Sequence, residues 1–224
     1  MIVVHHLNNS RSQRILWLLE ELGLEYEIKR YQRDKKTMLA PPELRAVHPL
    51  GKSPVITDGA LTVAESGAIV EYLVGRYGHG RLVPAADTTE RLRYTYWLHF
   101  AEGSAMPPLL LKLIFDRIET GPMPFFVRPI AKQIARRVKA MLVEPNLTAQ
   151  LAFMEAELGK SEWFAGADFT AADIQMSFPI EAASVRTGLD DGKPRLRAWL
   201  KNIHARPAYA RALERGGEYA YARD

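Results

Sequence analysis

The chain has 224 residues, an apolar share of 47%, a charged share of 25% and a formal net charge of +4. These values are typical of an ordinary soluble protein with one large domain or two modest ones. The absence of cysteine excludes disulfides, thiolate metal ligands and a cysteine nucleophile. The start of the sequence lacks a signal-peptide pattern and no apolar run reaches roughly 18 residues, so we expect a cytoplasmic protein.

The first third of the chain alternates between strand and helix patterns. "IVVHHL" predicts a short strand, "RSQRILWLLEELGL" predicts a helix that Gly23 ends, and "EYEIKRY" alternates as a half-buried strand does. The apolar runs "PVITD" and "GALTV" flank an Asp58-Gly59 turn, which is a strong hairpin signal, and "ESGAIVEYLVGRYG" follows as a helix. The order β-α-β, a variable stretch, then β-β-α predicts a compact α/β unit over residues 1–78.

The remainder of the chain has the period of helices. Residues 79–87 are rich in Gly, Pro and polar residues and are predicted to form a linker, and residues 88–224 are predicted to form an all-helical domain. We expect two long helical elements, the first interrupted near Pro107 and the second containing Pro145, and then three shorter helices. "FTAADI" contains Thr170 and Asp173 at the spacing of a capping box, which we interpret as structural.

The sequence pattern leaves the role of two segments in the helical part open. Residues 128–139 contain basic residues and no acidic ones, which fits a solvated amphipathic helix or a weak contact with a membrane surface. The Pro-rich insert at residues 121–129 fits either a lid over a cleft or an interface loop. We expect no nucleic-acid partner.

Four segments in this order resemble the cytosolic glutathione transferase family, and they are similar to its serine-type bacterial and fungal branch: "NNSRSQRILWLLEELGLEYE", "HPLGKSPVI", "LTVAESGAIVEYL" and "FTAADI". The resemblance covers essentially the whole chain. It implies a fold of the α/β plus all-α class, with a thioredoxin-like N-terminal domain (βαβ-α-ββα) and an all-helical C-terminal domain. It also implies a homodimer, a role in detoxification, and glutathione as co-substrate without a metal.

The resemblance assigns the glutathione site to particular residues. Pro54 is implied to be cis, so that the main chain of Ser53 pairs with the peptide. Lys52 is implied to hold the glycyl carboxylate, and Glu65 and Ser66 the γ-glutamyl end at a helix N-terminus.

The catalytic hydroxyl is expected where the first helix begins, because a thiol with a pKa near 8.5 needs its thiolate stabilised. Ser10 is the first choice. Counting back from Arg14 gives Asn9 instead, and Ser12 is a third candidate.

The second substrate is implied to be a small hydrophobic electrophile in a cleft between the domains. The candidate lining residues come from the first long helix: Tyr94, Trp97, Phe100, Met106 and Phe115. Glutathione conjugation is the leading hypothesis. The alternatives are glutathione-dependent peroxidase or disulfide-reductase activity, and a non-catalytic interaction module of the same fold.

Overall fold

The computed structural model describes residues 1–34, 36–189 and 192–222. The N-terminal part contains four strands and three helices in the predicted order, and the C-terminal part is helical. The elements are β1 (Ile2–Leu7), α1 (Ser12–Leu22), β2 (Tyr26–Tyr31), α2 (Pro42–Val47), β3 (Val55–Asp58), β4 (Leu61–Ala64), α3 (Ser66–Tyr77), α4 (Thr89–Phe100), α5 (Met106–Thr120), α6 (Arg128–Val138), α7 (Glu144–Glu157), α8 (Ala171–Thr187), α9 (Pro194–His204) and α10 (Pro207–Gly216).

The strands form one mixed sheet in the order β2-β1-β3-β4. Strand β1 pairs in parallel with β2, from Ile2 opposite Tyr26, and antiparallel with β3, from Ile2 opposite Asp58. Strands β3 and β4 form the predicted hairpin, and Gly59 in its turn has a φ of 60°. The first half is therefore the predicted thioredoxin-like βαβ-α-ββα unit.

Helix α1 is covered on nearly all sides. Its apolar residues Ile15, Leu16, Trp17, Leu18 and Leu19 are all fully buried. A helix that is buried around most of its circumference needs a second layer beyond its own sheet. That layer is the helical domain, because α8 and α10 both pack against α1.

Both long helical elements contain a π-helical turn that ends two residues before a proline. The first turn, Ala101–Ala105, separates α4 from α5, and the second, Lys139–Val143, separates α6 from α7. Proline cannot donate an N–H bond and its ring crowds the preceding turn of an α-helix. The wider π turn accommodates that ring, so each element continues past its proline with a shifted face.

The capping box predicted at the start of α8 is confirmed. The Asp173 carboxylate accepts backbone N–H bonds from Thr170 and Phe164, both at 3.0 Å, and the Trp199 indole N–H donates to it at 3.2 Å. The fully buried Asp173 therefore caps its helix and also fixes α9 and the preceding loop.

Candidate active site

A pocket of about 170 Å³ lies where β3 and α3 begin. It brings together five of the residues predicted to bind glutathione, namely Lys52, Ser53, Pro54, Glu65 and Ser66. Its other lining residues are Arg11, His48, Leu50, Ala64 and Glu102. A larger cleft of about 480 Å³ between the linker and the start of α8 contains none of the predicted site residues.

Ser53 forms the floor of this pocket, and the Ser53–Pro54 peptide bond is cis. The Ser53 hydroxyl donates to the carbonyl of His5 at 3.1 Å and accepts the Leu7 N–H at 3.4 Å. Its side chain thus links β1 to the loop that precedes β3. Among the described residues, the main-chain N–H and C=O of Ser53 make no hydrogen bond to protein, which leaves both groups for a peptide ligand.

The opposite wall of the pocket is the N-terminus of α3. Glu65 precedes the helix with a φ of 70°, in the left-handed region that few non-glycine residues adopt. Ser66, the first helical residue, is buried, so its hydroxyl and the free N–H groups of the first turn face a confined space. An anionic group is stabilised there by the exposed N–H donors and the helix dipole. Lys52 is exposed at the pocket's mouth.

The hydroxyl groups at the start of α1 lie directly behind Ser53. The buried Ser10 hydroxyl donates to the Ser53 hydroxyl at 3.3 Å and contacts the Ser12 hydroxyl at 2.8 Å. Neither Ser10 nor Asn9 lines this pocket itself, and the Asn9 side-chain oxygen accepts the backbone N–H of Ala220 at 2.8 Å. Ser10 is thus joined to a pocket residue by a hydrogen bond, whereas the Asn9 side chain contacts the C-terminal segment.

A cluster of Arg11, Arg14 and Glu102 adds the Glu102 carboxylate, which sequence reasoning missed, to the edge of the pocket. Arg11 Nε donates to both carboxylate oxygens of Glu102, at 2.9 and 3.0 Å, and Arg14 donates to the same carboxylate. Burial alone would raise the pKa of Glu102, but the two guanidinium groups hold it below its usual value. Glu102 therefore stays ionised, and Arg11 is fixed at the edge of the pocket.

The structure places the predicted second-substrate residues Tyr94, Trp97 and Met106 in the interior of the helical domain. Tyr94 and Trp97 are only 2% and 1% exposed, and Trp97 packs against Phe164 at 4.5 Å between ring centroids. Met106 is also part of this core, as is Phe100, while Phe115 is half-buried. Apolar spacing on a helix does not distinguish residues that line a cleft from residues of the core, and here the buried residues belong to the core.

A different apolar stripe is exposed on the same helical element. Leu110, Ile114 and Ile118 of α5 recur every fourth residue and are 50%, 43% and 39% exposed. Each helical residue turns about 100° and a π turn adds about one residue, so the path from Glu102 to Leu110 covers about two full turns. The stripe therefore continues the face on which Glu102 meets the pocket.

A thioredoxin-like unit with a pocket beside a cis-proline, followed by a helical domain that contributes to the pocket's rim, defines the class of the glutathione transferases. Sequence profiles agree: the glutathione S-transferase N-terminal domain matches residues 1–75 and the C-terminal domain matches residues 118–207. The chain belongs to the glutathione S-transferase family.

Individual relatives match over nearly the whole chain. Glutathione S-transferase 3 of Schizosaccharomyces pombe is 39% identical over 96% of this chain and 88% of its own. Glutathione S-transferase 1 of Saccharomyces cerevisiae is 34% identical over 96% and 95%. Among solved structures, a glutathione S-transferase from Actinobacillus pleuropneumoniae is 34% identical, with a TM-score of 0.80 over 100% of this chain and 97% of that one. A transferase from Phanerochaete chrysosporium, solved with oxidized glutathione, is 26% identical with a TM-score of 0.74 and covers 96% of each chain.

Two further findings concern membrane-spanning helices and metal sites among the described residues. None of their helices is long and apolar enough to cross a membrane. No group of three or more His, Asp or Glu side chains among them is arranged to hold a metal ion.

Proposed function

We propose that this protein binds glutathione in the pocket at Ser53, ionises its thiol, and transfers the sulfur to small hydrophobic electrophiles. The observation that supports this most strongly is the convergence of an exposed lysine, a free peptide edge and a helix N-terminus on one small pocket. These groups match the glycyl carboxylate, the peptide backbone and the γ-glutamyl carboxylate of glutathione, respectively.

The chemistry requires a thiolate, because the thiol itself is a weak nucleophile. Ser10 supplies a hydroxyl at the start of α1, where free N–H groups and the helix dipole favour negative charge. The thiolate then attacks the electrophile, which rests on the exposed apolar stripe of Leu110, Ile114 and Ile118. Water is displaced from this stripe when the apolar substrate binds, which supplies the binding free energy.

Calorimetry and turnover test this proposal together. Titration of glutathione should give heat with a single site, and the protein should conjugate a chloronitrobenzene substrate faster than it reduces a hydroperoxide or a mixed disulfide. Heat without any turnover would support a non-catalytic module instead. Faster turnover of the hydroperoxide or disulfide would support a glutathione-dependent peroxidase or reductase.

The proposal includes a homodimer in the cytoplasm. Exposed large apolar residues on both domains, such as Leu61 of β4 and Leu92 and Tyr96 of α4, support a contact between the sheet domain of one copy and the helical domain of another. Sedimentation should give twice the chain mass. A stable monomer at micromolar concentration would contradict the dimer.

Helix α6 supports a weak additional contact with an anionic membrane surface. Its exposed residues include apolar Ile130 and Ile134 beside basic Arg136 and Arg137, the pattern of a helix that lies in a lipid interface. Vesicles containing phosphatidylserine should co-sediment the protein at low salt, and neutral vesicles should not. Equal binding to both would contradict a role for the basic residues.

A further inference from the structure

The turn that joins α5 to α6 carries the two most exposed aromatic side chains of the described residues. Phe125 is 87% exposed and Phe126 is 67% exposed, and their rings contact each other edge to face at 5.5 Å between centroids. Every residue from 124 to 130 is exposed, and the isoleucine that ends this run, Ile130, is itself apolar. A folded protein rarely leaves such a cluster in water unless another surface covers it.

A surplus of positive charge surrounds this turn. Residues 120–143 contain no acidic residue, and their basic residues are Arg128, Lys132, Arg136, Arg137 and Lys139. Arg136 and Lys139 pair with Glu119 of α5 at 2.7 and 2.6 Å. The other three cations have no acidic partner among the described residues. Phenyl rings beside such cations are the composition of a surface that lies in the interface of an anionic bilayer.

The same charges argue against a second copy of this chain as the surface that covers the turn. A two-fold contact places the same patch of both copies face to face. The basic residues of α6 would then lie opposite the basic residues of the other α6, and like charges across an interface repel. Anionic lipid headgroups instead attract these cations, and a lipid interface accepts exposed phenyl rings without a preformed groove.

The exposed stripe on α5 begins at this turn. Its three members, Leu110, Ile114 and Ile118, span about 12 Å at the rise of an α-helix. Helix α5 ends at Thr120, two residues after Ile118, where the chain enters the turn. At its other end the stripe continues the face of Glu102, which lines the glutathione pocket. An exposed apolar path therefore runs along α5 between the turn and the rim of the pocket.

We propose that the turn at Phe125 and Phe126 inserts into an anionic bilayer, and that the protein takes long-chain electrophiles from the lipid along the α5 stripe. The reacting carbon reaches the glutathione sulfur while the alkyl chain lies on the stripe. With an aryl chloride, the thiolate sulfur forms the new S–C bond and chloride leaves with the electron pair of the C–Cl bond. The product carries the charges of glutathione and leaves the lipid for water. This role rests on the proposed transferase function.

Phe126→Trp gives a direct reading of insertion. The native indoles are all buried and respond little to lipid, namely those of Trp17, Trp97, Trp163 and Trp199. With vesicles of equal parts phosphatidylserine and phosphatidylcholine, we expect the emission to shift to the blue and to be quenched by phosphatidylcholine brominated in its acyl chains. Emission that neither shifts nor is quenched would overturn insertion. A blue shift that needs no lipid and grows with protein concentration would identify a second copy as the covering surface, which also overturns the proposal.

The double variant Phe125→Ser and Phe126→Ser should bind the same vesicles at least tenfold more weakly than the wild type, because two phenyl rings no longer leave water. Co-sedimentation over a series of lipid concentrations measures this. Val185→Ser is the control, since it removes a 47% exposed apolar side chain from α8, and its binding should stay within twofold of the wild type. Unchanged binding in the double variant, or an equal loss in Val185→Ser, would contradict the role of the turn.

The methyl and hexadecyl esters of a chloronitrobenzoate test delivery from the lipid, because they share one reacting carbon and differ in where they dissolve. With the phosphatidylserine vesicles present, the double variant should conjugate the hexadecyl ester at least fivefold more slowly than the wild type. Without vesicles its rate with the methyl ester should stay within twofold, which also shows that it is folded. Equal rates with the hexadecyl ester would overturn delivery. A wild type that conjugates neither ester contradicts the proposed transferase function, whereas one that conjugates the methyl ester but binds no vesicles contradicts the membrane role alone.

Discussion

Arg14 of α1 lies with its guanidinium fully enclosed between Glu102 of the first π turn and the carbonyl of Gln175 in α8, to which it donates at 2.6 Å. The Arg14 side chain is 1% exposed and that of Glu102 is 31% exposed. Three elements from both halves of the chain thus meet at one cation. A buried charge that loses its partner is costly, so this contact determines how the halves dock.

Removing the charge of Glu102 should destabilise the fold. Glu102→Gln leaves the Arg14 cation enclosed without a countercharge, and we expect a loss of about 3 kcal/mol, the lower end for such pairs because Glu102 is partly exposed. Urea unfolding measures it. Lys160→Ala is the control, since Lys160 is 66% exposed and such surface pairs contribute about 0–1 kcal/mol. Equal effects of the two variants would contradict a structural role for Glu102.

Lys52→Ala should weaken glutathione binding without unfolding the protein. Lys52 is exposed at the pocket's mouth, so its loss removes a point charge and little packing. We expect a dissociation constant about tenfold higher, equivalent to about 1.4 kcal/mol. Calorimetry measures it, with the exposed Lys201→Ala as a charge-matched control on α9. A protein that unfolds on this substitution would assign Lys52 a structural role.

Ser10→Ala should raise the pKa of the bound thiol by about one unit, because a charge-assisted hydrogen bond to sulfur contributes roughly 1.5 kcal/mol. Thiolate absorbance against pH measures this. Asn9→Gly should leave the curve unchanged, and glycine tolerates the φ of 49° at that position. A shift in Asn9→Gly with none in Ser10→Ala would transfer the catalytic role to Asn9.

Ile114→Ser should impair the second substrate selectively. The side chain is 43% exposed on the stripe that continues from Glu102, so we expect KM for an apolar electrophile to rise severalfold, consistent with a loss of about 1 kcal/mol of apolar contact. The KM for glutathione should not change. Ile134→Ser on α6, which removes an isoleucine of similar exposure, is the control. Unchanged kinetics in Ile114→Ser would place the electrophile elsewhere.

His6 should make stability depend on pH. Burial first, and Arg30 second, lower its pKa from 6.5 to about 4 in the folded protein, while the unfolded chain takes up a proton below about pH 6.5. The unfolded state therefore binds more protons between these values, so the contribution is fully present above pH 6.5 and is lost as pH falls toward 4. The loss approaches roughly 3 kcal/mol. Urea unfolding at pH 7 and 5 should show a smaller difference for His6→Asn than for the wild type, and an equal difference would contradict this.

The fold was largely predictable because each element has its own local signal. Helix α1 ends at Gly23 with a φ of 66°, and α8 begins with the Thr170–Asp173 capping box. The residues predicted to hold glutathione also come together, because Lys52 and Ser53 precede β3, and Glu65 and Ser66 start α3. Short loops at the ends of adjacent strands bring such residues to one edge.

The rest of the site depends on distant contacts that no local pattern contains. Glu102 reaches Arg14 only because a π turn sets its face, and the period of the helix gives no sign of that turn. Trp97 and Leu110 belong to the same continuous helical element with similar apolar character, yet one is enclosed by the core and the other is exposed. Which side of the element is covered is decided by the packing of α7, α8 and the loop at Phe164.

The ion pairs at the two ends of α1 limit how the two halves of the protein can be exchanged. Arg206 and Arg211 of the helical domain hold Glu21 and Glu20 at the far end of α1, while Glu102 holds its near end. A chimaera that combined this sheet domain with the helical half of another transferase would lose the ion pairs at both ends of α1. It would also expose the apolar side chains of that helix to water. Modular recombination of such enzymes would therefore succeed only when the donor half supplies matching acidic and basic partners at both ends.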